Sequence, residues 1–276
     1  MSSAYQALVL DLDGTLITDE GDIRPRTLAA LQAAHARGVR VMIATGRSEL
    51  GVAAVLGQLA MDTPAVVYNG AGLYCPNDRR LLEERLLSDR VVARCFSYAT
   101  RTNLMPVIQV AGAKYAPHPR DEHEQRALRG LEGLRYVTFE ELPREYVIRI
   151  TFFSDRHPDS DALALEVEQA LAQPLHLTHF PLNALATHRG SALLVVDVQP
   201  PCRGKGEALR VLAERYGIQR EHVVAVGDAD NDLPMISAAG LGVAMQNAMP
   251  RVLAAAQRVI GDNNSDTIAE LVEELF

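Results

Sequence analysis

Cysteine is scarce: Cys75, Cys95 and Cys202 are the only three in 276 residues. An odd count at wide spacing builds neither a disulfide framework nor a zinc site, and it fits a reducing compartment. No run of about 18 apolar residues occurs, so no membrane-spanning helix is expected. The first residues show neither the charged nor the apolar region of a signal peptide. Cytoplasmic residence without a membrane partner is the expectation. Positive charge is in deficit, with a formal net charge of −8. That balance argues against nucleic acid as the main partner. It leaves small anionic substrates open, because a local cluster of cations and amides can still bind phosphate. Lysine is rarer still, with Lys114 and Lys205 the two in the chain. An ammonium is not interchangeable with a guanidinium, so a lysine retained at 205 in an arginine-rich chain marks that position. Repeats and low-complexity segments are absent. What remains is ordinary for a globular protein, 48% apolar and 22% charged. The length suits one large or two ordinary domains.

The most informative stretch is Val9-Leu10-Asp11-Leu12-Asp13-Gly14-Thr15. Residues 7–10 read as a short buried strand of the parallel type. In extended backbone Asp11 and Asp13, two apart, point to one side. Gly14 permits a sharp turn. A carboxylate pair at a strand's carboxyl end suits a hard divalent cation such as Mg²⁺. It suits equally a carboxylate nucleophile with an acid/base partner. Three more polar clusters each stand at a similar place. Thr45-Gly46-Arg47 follows the apolar run 39–44, Lys205 heads a helix, and Gly227-Asp228-Ala229-Asp230-Asn231-Asp232 follows the run 223–226. Singly, each is as common in an ordinary turn. In an open parallel sheet, however, ligands bind beyond the carboxyl ends of the strands. Asp11, Asp13, Thr45 and Asp228 all lie at such ends, so they are expected to converge.

The element pattern supports such a sheet. Pro25 opens a helix that Gly38 stops. Ser48 caps a second helix running to about residue 59. A third strand spans 65–68 and ends in Asn69-Gly70. Strand alternating with helix predicts a doubly wound parallel α/β sheet, Rossmann-like in order. From about residue 81 the pattern changes. Helices are expected at 88–100, 121–131 and 159–172, a hairpin at 105–115 turning near Gly112, and strands at 147–153 and 175–180. This is an α+β unit, placed at 83–190 and inserted into the first. The α/β pattern is then expected to resume with a strand at 193–198 and a helix from Lys205 to Gly217. Next come a strand at 223–226, a helix capped by Asp232, short strands near 242–244 and 258–260, and helices at 250–256 and from 266. The catalytic core would thus be 1–82 and 191–276.

The four clusters, in this order and with a long insert between the second and third, resemble the haloacid dehalogenase superfamily. The match lies in Asp11-Leu12-Asp13-Gly14-Thr15, Thr45-Gly46-Arg47, Lys205-Gly206, and Gly227-Asp228 with Asn231-Asp232. The placement of the insert is similar to the Cof-type (class IIB) branch. The resemblance implies a nucleophilic role for Asp11 and an acid/base role for Asp13. Dehalogenase relatives lack an acid at the latter position, so Asp13 favours phosphoryl chemistry. Phosphoryl transfer needs donors for the charged equatorial oxygens. Thr45 can offer its hydroxyl, Gly46 its amide and Lys205 its ammonium. Asp228 would complete a Mg²⁺ shell with Asp11 and the Asp13 backbone carbonyl. In the family pattern Asp232 supports that shell and Asn231 faces the phosphate, while Asp230 stays solvated. Arg47 and Asn69 could each contact substrate or cap local backbone, and His188, near the second hinge, could touch substrate. The position before Lys205 is Gly204, where relatives often have Ser or Thr. The expected activity is Mg²⁺-dependent hydrolysis of small phosphorylated metabolites, sugar phosphates in particular, with the insert as a substrate-selecting cap. A phosphomutase or phosphotransferase using the same aspartyl-phosphate is the alternative. A phospho-accepting signalling module is a third class, but such domains are smaller and lack this insert.

Overall fold

The computed structural model describes residues 5–185 and 188–276. The chain divides into two compact units, residues 1–83 with 203–276, and residues 84–202. In chain order the first unit begins with β1 (Ala7–Leu10), α1 (Pro25–Ala36), β2 (Arg40–Ile43), α2 (Glu49–Leu59), β3 (Ala65–Val67), β4 (Gly72–Cys75) and β5 (Arg80–Glu84). The second unit holds α3 (Asp89–Thr102), β6 (Pro106–Val110), β7 (Ala113–Ala116), α4 (Glu122–Leu128) and β8 (Leu134–Tyr136). It continues with β9 (Arg149–Ser154), α5 (Ser160–Leu171), β10 (His176–Pro181) and β11 (Leu194–Gln199). The first unit then resumes with α6 (Glu207–Tyr216), β12 (Val223–Gly227), α7 (Leu233–Ile236), β13 (Leu241–Ala244), α8 (Pro250–Ala255), β14 (Arg258–Val259) and α9 (Thr267–Leu275).

The first unit is built on a five-stranded parallel sheet in the order β14-β13-β12-β1-β2. β1 is central, with Leu10 level with Val226 on one side and Ile43 on the other. All four of its residues are fully buried, which explains its unbroken apolar run. Ala7 and Val9 pack with Met42, Val223, Ala225 and the α6 residues Ala208, Val211 and Leu212. By the two-residue period, Leu8 and Leu10 face the other side, where they are equally buried. Each such side chain contributes about 1.5–3 kcal/mol by leaving water. Local signals set the helices. Pro25 sits at the first position of α1, and Ser48 Oγ accepts from Gly51 N at the start of α2. Gly217, with φ of 69°, closes α6. β3 joins the sheet through one parallel bridge, Ala44 to Val66, and forms its own antiparallel ladder with β4. The β4–β5 hairpin is absent from the sequence reading, although Pro76-Asn77-Asp78 is a turn signal.

The second unit is a six-stranded mixed sheet in the order β10-β11-β9-β6-β7-β8. α3 and α5 cover one face through Val92, Phe96, Leu163 and Val167, which pack on Ile108, Ile150, Phe152 and Val196. Ser88, Asp121 and Asp159 cap α3, α4 and α5 through their side chains.

One expectation is corrected here. The strand predicted at 193–198 is β11, and it does not belong to the parallel core. It pairs antiparallel with β9 and β10 in the second unit. The insert therefore ends at Cys202 rather than at 190. β11 is an inner strand, buried along its whole length, so it reads as the same continuous apolar run that a parallel strand would. Among the described residues no helix is long and apolar enough to cross a membrane.

Candidate active site

The carboxyl ends of β1, β2 and β12 bring the predicted clusters together. The Asp11 N–H continues the ladder by donating to Val226 O at 3.1 Å, and its carboxylate is buried. Immediately afterwards the chain turns tightly, the Thr15 and Ile17 N–H groups both donating to Leu12 O. Gly14 makes this possible with φ of 80°, and a Cβ there would sit 2.5 Å from Asp228 Oδ2. Glycine thus lets the Asp13-Gly14 turn close onto β12. Thr15 Oγ1 donates to Asp228 Oδ1 at 2.9 Å.

Lys205 is the buried hub. It lies in a single tight turn, Gly204–Gly206, ahead of α6. Its Nζ donates to Asp11 Oδ1 and to Asp232 Oδ1, each at 2.6 Å. The ammonium thus neutralises two carboxylates from two other motifs. Gly204 has φ of 61°, a conformation that favours glycine over Ser or Thr.

Asp232 is not the helix cap expected of it. Its backbone is already helical and its side chain makes no cap bond to α7. Instead Oδ2 accepts from the N–H groups of Asp228 and Ala229, both at 2.9 Å. That folds the loop after β12 into a hook that fixes Asp228. Gly227 must be glycine for this, because a Cβ would lie 2.4 Å from Asp232 Cγ. Asp230, expected to be solvated, pairs with Arg251 at 3.0 Å, its side chain 42% exposed.

Arg47 grips Asp13 bidentately, Nη2 to Oδ1 at 2.6 Å and Nε to Oδ2 at 2.9 Å. Such a fork is geometrically specific. The pair of acids therefore divides: Asp11 is buried on Lys205, whereas the Asp13 side chain is 42% exposed on Arg47. Arg47 Nη1 also donates to Gly51 O at 3.2 Å, so the substrate-or-local alternative left open for Arg47 meets a local partner set. Thr45 is buried, and its Oγ1 accepts from Arg47 N at 3.1 Å. Asn231 Nδ2 donates to Asn69 Oδ1 at 3.1 Å. Thr15 and Asn247, whose Nδ2 donates to Gly14 O at 2.8 Å, are site residues that the sequence reading did not assign. Thr15 stands inside the first motif and was legible there. Asn247 follows β13 with no motif around it. His188 lies in the second unit, and burial pushes its imidazole pKa down.

The charge balance is lopsided. Carboxylate oxygens of Asp11, Asp228 and Asp232 lie within 4.8 Å of one another. Burial, then Asp232, pushes Asp228 up to about 7, with Lys205 only partly opposing. Asp11 is also raised, by burial first and then by Asp232. Burial would lower Lys205, but Asp11 and Asp232 outweigh it and hold the ammonium above its usual range. Three carboxylates crowd one lysine, and a divalent cation would offset the excess. The donors are all oxygen, which fits a hard ion such as Mg²⁺ and offers zinc no nitrogen or sulfur. Asp232 already spends Oδ1 on Lys205 and Oδ2 on two amides, which leaves Asp11 and Asp228 as the carboxylates suited to hold an ion. The Asp13 carboxylate is not in this group, being turned to Arg47. The ligand expected from Asp13 is its backbone carbonyl.

Known proteins resemble the chain along its whole length. A family model described as haloacid dehalogenase-like hydrolase matches residues 8–272. The pyridoxal phosphate phosphatase YbhA of Escherichia coli (strain K12) is 31% identical over 292 residues, covering 97% of each chain. The HMP-PP phosphatase of Cronobacter sakazakii is 31% identical over 249 residues, covering 88% of this chain and 85% of its own. A solved haloacid dehalogenase-like hydrolase from Bacteroides thetaiotaomicron superposes with a TM-score of 0.80 at 26% identity, over 99% of this chain and 100% of that one.

Proposed function

The chain belongs to the haloacid dehalogenase-like hydrolases and is a phosphoric monoester hydrolase, and from its site we propose a Mg²⁺-dependent phosphatase of small phosphorylated metabolites that works through an aspartyl-phosphate on Asp11. The observation that supports this reading is the division of labour between two acids on one turn. Asp11 is held by a buried ammonium, which orients its carboxylate for attack. Asp13 is half-exposed and pinned by Arg47, where a leaving oxygen and water can reach it.

In the first displacement an Asp11 oxygen bonds to phosphorus and the bond from phosphorus to the leaving oxygen breaks. Asp13 supplies the proton that the leaving oxygen takes up. In the second, Asp13 takes a proton from water, whose oxygen bonds to phosphorus as the bond to Asp11 breaks, and inorganic phosphate is released. Thr45, Gly46 and Lys205 supply hydroxyl, amide and ammonium to the equatorial oxygens, with Asn231 on the phosphate side and Arg47 acting through Asp13. Bound Mg²⁺, held by Asp11, Asp228 and the Asp13 carbonyl, would neutralise charge on the phosphoryl group. The second unit is the substrate-selecting element of this reading. Sugar phosphates are the proposed substrates, and the name of the E. coli relative adds pyridoxal phosphate to those worth assaying.

The test is phosphate release from a panel of both kinds, with Mg²⁺ and with excess chelator. Asp11→Asn should keep the fold and lose activity, because an amide cannot attack phosphorus. Asp13→Asn should lose about 10²–10⁴-fold. Near-normal turnover by Asp11→Asn, or full activity in chelator, refutes the mechanism. Transfer of phosphate to a second metabolite without release would instead identify a mutase or transferase.

A further inference from the structure

Tyr68, Asn69 and Gly70 are three consecutive residues in left-handed backbone, with φ of 53°, 49° and 98°. Adjacent non-glycine residues rarely hold this conformation, and a tyrosine there is a clear outlier. Such strain persists only where surrounding contacts over-determine it, and it gathers at working sites. All three residues are buried, so this is not a loose surface loop. The Tyr68 hydroxyl is tied to the Glu49 carboxylate at the first turn of α2. The N–H groups of Tyr68 and Asn69 donate to Arg47 O at 2.9 Å and to Thr45 O at 3.0 Å.

The turn is wedged among three of the four motifs. A Cβ on Gly70 would stand 2.2 Å from Gly204 O, next to Lys205. A Cβ on Gly46 would meet the Asn69 amide at 3.1 Å from Oδ1 and 3.2 Å from Nδ2. Asn69 Oδ1 accepts from Asn231 Nδ2. The other amide atom of Asn231, Oδ1, is buried and has no hydrogen-bond partner among the described residues. The Asn231 amide is therefore anchored through one Nδ2 hydrogen, and that anchor fixes where its second Nδ2 hydrogen points.

We propose that Asn69 is a positioning residue for the phosphoryl group: by accepting one Nδ2 hydrogen of Asn231 its side-chain amide aims the other, and it backs the Thr45-Gly46 edge, so that donors from the second and fourth motifs stand at a fixed separation. The proposal rests on the phosphatase reading above. Left-handed backbone alone asks only for a residue that tolerates it, and glycine tolerates it best. Asn69→Gly therefore separates the two roles by keeping the turn and deleting the amide.

The experiment compares full-length wild type, Asn69→Gly, Asn231→Ala and the double variant, with Mg²⁺ and a phosphate monoester that the wild type hydrolyses. Asn69→Gly should melt at the wild-type Tm while kcat falls about 10–10²-fold, the scale of a small misplacement of reacting groups. KM should stay near wild type, because the interaction is realised in the transition state. Asn231→Ala removes the same bond from an unstrained position, so it reports even if Asn69→Gly fails to fold. It should lose a similar factor, and the double variant should lose little more than either single one. A wild-type kcat in Asn69→Gly overturns the proposal, as do losses that multiply in the double variant. Asp11→Asn runs beside them. If wild-type hydrolysis does not depend on Asp11, the phosphatase reading fails and takes this proposal with it. If it does, a fully active Asn69→Gly removes this proposal alone.

Discussion

At the scale of single residues, Lys205 is one positive charge among three carboxylates. Removing a partner from a buried pair leaves uncompensated charge, which costs about 3–5 kcal/mol. Lys205→Met strands Asp11 and Asp232, so its urea midpoint should fall by a corresponding amount. An unchanged midpoint would show that the ammonium does not hold the site together. Asp228 makes a prediction of the opposite kind. Its folded pKa of about 7 lies above the ordinary value of 3.8. Between those values the native state keeps a proton that the unfolded chain has released. Protein without Mg²⁺ should therefore lose stability as pH rises from about 4 to about 7. Asp228→Asn should flatten that decline, because an amide does not titrate. Thermal melts of both proteins across this range, in chelator, decide the matter. A wild-type slope no steeper than the variant's would mean that Asp228 is not the group that resists ionisation.

At the scale of elements, capping and turn chemistry were the most legible features. Ser48, Ser88, Asp121 and Asp159 each begin the helix expected of them, because a side-chain acceptor for an orphan N–H acts over three residues. β11 was legible as a strand but not as a member of its sheet. One partner, β10, is near in sequence, but the other, β9, is 40 or more residues distant, and period and composition do not encode that choice. A clue did exist in Asp197, buried in the middle of β11. Arg149 on β9 bonds it at 3.1 Å, and the two side chains are only 9% and 8% exposed. Asp197→Ala removes the charged partner of Arg149, whose Nη2 also donates to Gln109 Oε1 at 2.9 Å, and should destabilise by about 3–5 kcal/mol. Arg149→Met combined with Asp197→Leu should recover most of that loss, since apolar replacements of a buried pair are often neutral. Urea unfolding of the single and double variants tests this. A double variant less stable than Asp197→Ala would show that the pair specifies the sheet beyond its own neutralisation.

At the scale of the whole molecule, the four sequence motifs all lie in the first unit and none in residues 84–202. If the second unit selects substrate, substitutions on it should reorder kcat/KM among sugar phosphates and pyridoxal phosphate while leaving Mg²⁺ dependence unchanged. A phosphopeptide should be a poor substrate, because an inserted cap encloses a small ligand more readily than a chain. Hydrolysis of the phosphopeptide in preference to metabolites, or a substrate ranking indifferent to the second unit, would remove this role from it.

The order of four short motifs was enough to identify the family, the sheet type and the residues that gather at the strand ends. Strand-end placement follows from local periodicity, and a parallel α/β sheet collects its strand ends in one place. Three things came only from the assembled chain. The insert ends at Cys202 because β11 finds antiparallel partners that it does not announce locally. Asp232 turns its carboxylate back onto Lys205 and two amides instead of capping α7, a choice made by charges 27 residues apart in sequence. The side chains of Asn69 and Asn247 bond to Asn231 and to Gly14 O from loops without any motif, 162 and 233 residues from those partners. Hydrogen-bond geometry and charge compensation between distant segments exist only once burial has brought those segments together, so no local pattern could have stated them.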